Sequence, residues 1–496
     1  MRPGGLRGLH PPRTDRGRLL LLLTLAAVVT VFTATVPLLR DWFDLRVYHG
    51  TVDSWIHDGG RIYDYRVPGT PYGFTYPPFA AVVMLPMALV GLRTAIVTAL
   101  LLDLAALAFV VRVCVGPRWR RYGWYGAGLA ACALAVFEPL RDTFSFGQVN
   151  LLLLALVLAD AGLLASGRNR WAGVGIGLAA AVKLTPALFI GLLLVARRWR
   201  AAALATAVAA AATGLAALVA PDASRFYWTR ALWDTSRVGR LDYVSNQSLQ
   251  GVLARLGVET RAVWAVLVLA VLGWWAWRAR RAVAAGDWRA AFALTGLTSC
   301  LVSPVTWVHH LVWLLPSFAV LIHAGRPRVA GALYAVLCTS VVWLWFDDAS
   351  GVGGFLGGNT YTWITLGLLV SLPVGYSPAE RRPTNPRTNA TAAPPSTAAP
   401  AMNAASGQPG GSATATVTGT VVPVGAAVEA GPEEGKEEGK EEVAEAEAAV
   451  ETGAGSGPAP GTGRGRGRAR SASSEPTGST RPAAANPQSS SERASS

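Results

Sequence analysis

The chain has 496 residues, 52% of them hydrophobic and only 15% charged, with 18 Trp and a formal net charge of +14. Ordinary soluble domains carry about 25% charged residues, so this composition argues against a soluble enzyme. Every Phe, Trp and Tyr lies before Ser377; the segment after it carries 11 Lys or Arg against 13 Asp or Glu, and the part before it 33 against 17. The basic excess therefore belongs to the apolar part, where it reports orientation across a membrane rather than nucleic-acid binding.

Residues 1–18 hold Arg2, Arg7, Arg13, Arg16 and Arg18 and are expected to be a basic cytoplasmic N-terminus. The run Leu19 to Leu39 that follows is long enough to cross the hydrocarbon core, which needs about 20 residues. A cleaved signal has an apolar region of about 7 to 15, so the run is expected to be a retained first helix. Further apolar runs lie at roughly 79–92, 94–115, 123–137, 149–167, 171–182, 185–196, 201–220, 261–277, 290–305, 309–325, 328–346 and 361–375.

Arginine clusters at Arg118/Arg120/Arg121, Arg168/Arg170, Arg197/Arg198/Arg200, Arg278/Arg280/Arg281 and Arg326/Arg328 mark expected cytoplasmic turns. Two crossings between Phe79 and Arg121 would put Arg118 to Arg121 outside. Either one run there is interfacial or re-entrant, leaving about twelve crossings, or this basic loop breaks the positive-inside rule. A charge at the centre of a membrane helix costs about 2.5–3.5 kcal/mol on insertion scales, and a mid-helix proline removes a hydrogen bond. Lys183 and Pro186 therefore predict two short helices joined at an outer turn.

The resulting class is an all-α polytopic membrane protein with a membrane domain over 19–376, a large first extracytoplasmic loop and both termini cytoplasmic. The tail, 377–496, is built from Ala, Gly, Pro, Ser and Thr with an acidic block and an Arg-Gly run. It lacks the apolar residues that offset ordering entropy and is expected to be disordered. Cys114, Cys132, Cys300 and Cys338 sit in apolar runs without metal-ligand spacing and read as small buried hydrophobes.

Polar residues gather in the segments predicted to be extracytoplasmic. Asp44 lies just beyond the first span, where a carboxylate stays ionised against a low-dielectric wall and can take a proton from a substrate hydroxyl. The alternative is that Asp41 and Asp44 cap a short helix. His309 and His310 stand at the start of a helix, about 100° apart in an α-helix, so one of the two is expected to face a site; with no i, i+4 partner, no metal site is expected.

Gln148 and Asn150 follow Gly147 at another outer turn, and Asn246 and Gln247 lie in a polar, uncharged run suited to carbohydrate. Lys183 and Arg141 are candidate cations for a phosphate. Tyr48, Tyr76 and Trp307 offer sugar-stacking faces, or else interfacial anchors.

Taken in order, Asp44-Leu-x-Val-Tyr48, Thr75-Tyr-Pro-Pro78, Gly147-Gln148-x-Asn150, Lys183-x-x-Pro186, Ser245-Asn-Gln247-Ser248 and Ser303-Pro-x-x-Trp307-x-His309-His310 resemble the actinobacterial polyprenyl-phosphate-mannose-dependent α-1,2-mannosyltransferases. These form glycosyltransferase family 87 of the GT-C superfamily, and the resemblance covers about residues 20 to 375.

The resemblance implies a GT-C-type fold and an inverting plasma-membrane enzyme. It would pass mannose or a related sugar from a polyprenyl-phosphate donor to a glycolipid or glycan acceptor on the extracytoplasmic face, using no cofactor. The family's essential aspartate falls on Asp44 and its histidine on His309 or His310. The alternative function is a secondary transporter or a lipid-linked sugar flippase, which would use midplane groups such as Asp103.

Overall fold

The computed structural model describes residues 14–35, 41–116, 119–168, 170–258 and 260–375. The arginines of residues 1–13 and the tail at 376–496 lie outside the described residues. Among the described residues there is no strand, only one antiparallel bridge between Arg66 and Gly73.

Among the described residues, those up to Val219 form ten helices. They are α1 (Asp15–Thr35), α2 (Phe43–His57), α3 (Pro78–Met84), α4 (Leu92–Val115), α5 (Trp119–Val136), α6 (Glu138–Phe146), α7 (Asn150–Ala165), α8 (Val174–Val182), α9 (Leu188–Val195) and α10 (Trp199–Val219). Those after it add α11 (Pro221–Thr229), α12 (Leu249–Arg255), α13 (Arg261–Ala284), α14 (Trp288–Val302), α15 (Leu315–His323), α16 (Pro327–Cys338), α17 (Gly351–Gly357) and α18 (Thr360–Ser371). Short 3₁₀ turns at Leu85–Leu89, Thr185–Ala187, Val308–Leu314 and Val341–Trp345 extend or join them.

Helices α1, α4, α10 and α13 are each long and apolar enough to cross a membrane, and the apolar pair α6 and α7 is bent by 116° at the turn between them. Leu101 on α4, Leu218 on α10 and Leu269 on α13 are 62%, 83% and 68% exposed. Apolar surface on that scale is not left in water by a monomeric protein; it is the outer wall of a polytopic membrane protein.

The inside is built around α14, in which every residue from Ala290 to Leu301 is buried, as is Trp288. A helix covered on all sides must be apolar all round or satisfy its own polar groups. Here Thr295, Thr298 and Ser299 return their hydroxyls to the carbonyls of Ala291, Leu294 and Gly296, each at 2.8 Å. Helices α7, α9, α13, α15 and α18 pack around this pillar.

The region between Phe79 and Arg121 folds back on itself. Prolines start α3 and, at Pro86, convert its end to a 3₁₀ turn. Val90 then comes to lie against α2, where its carbonyl contacts His49 Nε2 at 2.9 Å. The chain thus returns to the side it started from before α4 begins.

Lys183 ends α8 in an extended conformation, with φ −146° and ψ 132°, and the next turn begins at Thr185. Helix α13 runs through Arg278, Arg280 and Arg281, so these are not in a turn. Arg278 is buried and donates to the carbonyls of Leu369, Val370 and Leu372, closing the end of α18.

Glu138, at the start of α6, is fully buried and accepts from Trp343 Nε1 at 2.5 Å and from the Tyr361 hydroxyl. One carboxylate thereby ties α6 to α18 and to the Val341–Trp345 turn. Glu138→Ala removes the acceptor of the buried Tyr361 hydroxyl, at about 1–3 kcal/mol, and a contact of the half-buried Trp343. We expect a lowered thermal midpoint in detergent, read by intrinsic fluorescence; an unchanged midpoint would show that the tie is not structural.

Candidate active site

Asp41 and Trp42 enter α2 with φ of 46° and 56°, and the Trp42 amide donates to the Ser145 carbonyl at 2.9 Å. The start of α2 is thereby docked on the end of α6. Trp42, not an aspartate, occupies the cap position, and no side chain caps the helix. Asp41 pairs with Arg46, and Asp44 turns inward to accept from Gln148 Nε2 at 2.6 Å. The capping alternative is therefore set aside.

Gln148 reaches Asp44 because the α6–α7 turn closes on α2. Gly147 has a φ of 71°, and a Cβ there would lie 2.7 Å from Leu45 Cβ. Only glycine accommodates both the left-handed backbone and the close approach. The amide of Gln148 is then fully oriented, with Oε1 accepting from the Tyr76 hydroxyl at 2.9 Å and from Asn150 Nδ2 at 3.3 Å. Tyr48, buried on α2, donates to the Tyr76 hydroxyl at 3.0 Å.

Lys183 completes the cluster. Its Nζ lies 3.2 Å from the Tyr76 hydroxyl, 3.0 Å from Asn150 Oδ1 and 2.9 Å from His310 Nε2. Donor and acceptor bookkeeping fixes the protons. His310 Nδ1 accepts from the Trp307 amide at 3.1 Å, so in the neutral ring Nε2 carries the proton and donates to Lys183. A neutral amine has one lone pair and two N–H groups, which match His310 on one side and Tyr76 and Asn150 on the other.

The electrostatics agree with that count. Burial outweighs Asp44 in its effect on Lys183 and lowers the amine to about 7. Burial likewise raises Asp44 to about 6, against the opposing effects of the Gln148 hydrogen bond and of Lys183. The two are not in direct ion-pair contact. A small cavity with room for about one water lies beside Lys183, lined also by Asn150, Thr185, Cys300, Thr306, His310 and neighbouring apolar residues. Thr306 and Cys300 carry no sequence signal, because neither belongs to a polar motif of its own.

Other expected site residues lie elsewhere. The two histidines sit in a 3₁₀ turn, where neighbours are about 120° apart rather than 100°. His310 faces Lys183, while His309 is buried with its ring 5.0 Å from that of Phe146; its carbonyl receives Thr143 Oγ1 and Asn150 Nδ2. The Trp307 ring packs 6.0 Å from Tyr243. Arg141 donates to Ser340 Oγ at 3.1 Å and stacks over Phe32, so it is not part of the Lys183 cluster.

Asn246 and Gln247 correct the sequence reading most clearly. Both are fully buried. Asn246 Nδ2 donates to the Leu241 and Pro304 carbonyls and its Oδ1 receives the Thr306 amide. Gln247 Nε2 donates to the Val244 and Gly358 carbonyls, and its Oε1 receives the amide and hydroxyl of Thr362. With every polar atom used inside the protein, neither residue can offer a hydrogen bond to a sugar; they tie the 241–248 loop to the ends of α14 and α17.

A sequence model of glycosyltransferase family 87 matches residues 74–304, which include Tyr76, Gln148, Asn150 and Lys183. A mycobacterial relative, the polyprenol-phosphate-mannose-dependent alpha-(1-2)-phosphatidylinositol mannoside mannosyltransferase of Mycolicibacterium smegmatis, is 33% identical over 405 residues, 73% of this chain and 90% of the relative. The chain belongs to glycosyltransferase family 87. The polyprenol-phosphate-mannose-dependent alpha-(1-2)-phosphatidylinositol pentamannoside mannosyltransferase of Mycobacterium tuberculosis is 35% identical over 65% of this chain and 76% of its own length. Its namesake from Mycolicibacterium smegmatis is 34% identical over 67% and 85%. No solved structure matches the chain. As a family 87 member the protein is a membrane glycosyltransferase, and the transporter alternative falls away.

The two shifted groups predict a narrow pH profile. With Asp44 acting as a base and protonated Lys183 holding a phosphate, the roles we propose for them, kcat/KM should rise through about pH 6 and fall as pH rises through about 7. Lys183→Arg, which cannot lose its proton in this range, should remove the alkaline limb and leave the acidic one. An alkaline limb that survives in this variant would assign it to another group.

Proposed function

We propose that the protein is a polyprenyl-phosphate-mannose-dependent mannosyltransferase that forms an α-1,2 linkage on a glycolipid acceptor, with phosphatidylinositol mannosides as the acceptor class. The observation that carries this reading is the pairing, in one cluster, of a carboxylate and an amine that are held apart. The acceptor hydroxyl attacks the anomeric carbon as the bond from that carbon to the phosphate oxygen breaks. Polyprenyl phosphate leaves with the bonding electrons, and the hydroxyl proton passes to Asp44.

A phosphate ester already has a stable anionic leaving group, so a strong acid is unnecessary and a cation suffices. Lys183 takes that role in its protonated form, which an entering phosphate favours over the neutral amine. One displacement inverts the anomeric centre, by analogy with inverting glycosidases. The bound donor supplies the sugar, and the reaction calls for no cofactor.

The geometry supports a GT-C-type arrangement with twelve crossings by α1, α4, α5, α7 to α10, α13 to α16 and α18, leaving α2, α3 and α6 on the active face. The return of Val90 to α2 supports a re-entrant 78–89 segment, which keeps Arg118, Arg120 and Arg121 in the cytoplasm as the positive-inside rule asks. Asp44, Tyr76, Gln148, Lys183 and His310 then share the extracytoplasmic face of the plasma membrane.

The test is transfer from labelled polyprenyl-phosphate-mannose to a phosphatidylinositol mannoside by the full-length protein in nanodiscs. Asp44→Asn should lose about 10²–10⁴-fold in kcat, the usual contribution of a general base, with donor KM little changed. Full activity in the Asn variant would falsify the role of Asp44, and a product sensitive to reagents for another linkage would overturn the α-1,2 assignment.

A further inference from the structure

A second group of cations stands on the same side of the molecule and has no part in the cluster just described. Arg66 Nη1 donates to the carbonyls of Tyr63 and Tyr65 at 2.8 and 2.9 Å. Arg237 Nη2 donates to the same Tyr63 carbonyl at 3.1 Å. Two guanidinium groups therefore converge on one oxygen: burial and then the charge of Arg237 lower the affinity of Arg66 for its proton, against the opposing charge of Asp64.

Neither arginine is within ion-pair distance of a carboxylate among the described residues. The nearby Asp64 is taken by Arg61 at 2.7 Å. Arg237 lies over the Phe226 ring at 5.3 Å, and its Nε is buried without a hydrogen-bond partner. Like charges brought together and partly buried, with Asp64 acting on Arg66 only from beyond ion-pair distance, are unfavourable unless an anion completes the site.

The surroundings indicate which anion. Trp228 near the end of α11 and Trp233 just after it are 37% and 73% exposed, as amphipathic rings at the headgroup level are. Tyr63 joins the pair to the active site, since its hydroxyl donates to the Tyr76 carbonyl at 2.8 Å while its own carbonyl holds both arginines. The donor phosphate has to lie at the reacting carbon beside Lys183, so the arginine pair is left for a different phosphate.

In a phosphatidylinositol mannoside the phosphodiester is separated from the terminal sugar hydroxyl by the inositol and the intervening mannose residues. Such an acceptor calls for a phosphate site apart from the Lys183 cluster, as the arginine pair is.

We propose that Arg66 and Arg237 form a subsite for the phosphodiester of a glycolipid acceptor, setting acceptor specificity by charge. The proposal rests on the mannosyltransferase reading and extends it to the far end of the acceptor. Arginine is the residue suited to the task, because its planar fork binds phosphate oxygens in pairs.

The experiment compares two acceptors with the full-length protein in phosphatidylcholine nanodiscs, a charged phosphatidylinositol mannoside and a neutral octyl α-mannoside, with polyprenyl-phosphate-mannose as donor. Arg66→Gln and Arg237→Gln should each raise KM for the charged acceptor about ten- to hundredfold, the usual worth of a hydrogen bond to a charged group. Octyl mannoside kinetics and donor KM should stay within about twofold.

An equal loss on both acceptors would overturn the proposal by showing that the pair only supports Tyr63. A raised donor KM would assign the pair to the donor phosphate, and a defect seen only in nanodiscs containing phosphatidylglycerol would assign it to bulk anionic lipid. If the wild type transferred mannose to neither acceptor, the mannosyltransferase reading itself would fail, a result distinct from these.

Discussion

The desolvation of one amine organises the active face. Lys183 stands where α8 stops and an extended residue begins, among Tyr76, Asn150 and His310, each from a different part of the chain. A lysine buried in this way has to be neutralised or supplied with partners, and the structure supplies three. To bring them together, α7 must start at Asn150, the 3₁₀ turn must place His310 at the end of α14, and the Tyr76-Pro77-Pro78 segment must return to the helices. The break between α8 and α9 is therefore the point from which the positions of the other elements follow.

The same requirement explains why the helices around the cluster are short. A bilayer core needs about 20 helical residues, whereas α8 and α9 have 9 and 8, and α16 and α18 have 12 each. Irregular backbone at membrane depth is tolerated where protein rather than lipid surrounds it. The short helices pack on α14 and on one another, while the long ones, α4, α10 and α13, turn apolar faces outward. Broken elements thus line the site and unbroken ones form its wall.

How much of this was legible in the sequence depended on whether a residue had one affordable environment or several. Lys183 with Pro186 could be placed because a continuous helix would bury a charge and lose a hydrogen bond. Each apolar run became a helix for the same kind of reason. Asn246 and Gln247 could not be placed: uncharged amides serve a sugar or a backbone carbonyl equally well, and here tertiary packing gave them carbonyls.

Arg141 was ambiguous in the same manner, since a guanidinium stacks on a ring as readily as it binds phosphate. The α2 start left capping by Asp41 or Asp44 open because aspartate near a helix start often caps; docking on Ser145 instead fixed the turn with Trp42 in the cap position. Arg66 and Arg237 gave no sequence signal at all, being far apart in the chain and belonging to no motif.

The distance kept between Asp44 and Lys183 is itself informative. Two opposite charges 4 Å apart near a protein surface attract by about 4 kcal/mol, which corresponds to about three pKa units. Direct contact would therefore pull the carboxylate far below the range in which it can accept a hydroxyl proton and would fix the proton on the amine. Gln148 prevents this by standing between them, donating to Asp44 with Nε2 and receiving Tyr76 and Asn150 at Oε1. A primary amide has no proton to relay at neutral pH, so it orients both poles without joining them. The carboxylate stays basic, the amine stays responsive to a phosphate, and Gly147 makes this possible by letting the turn that carries the amide close on α2.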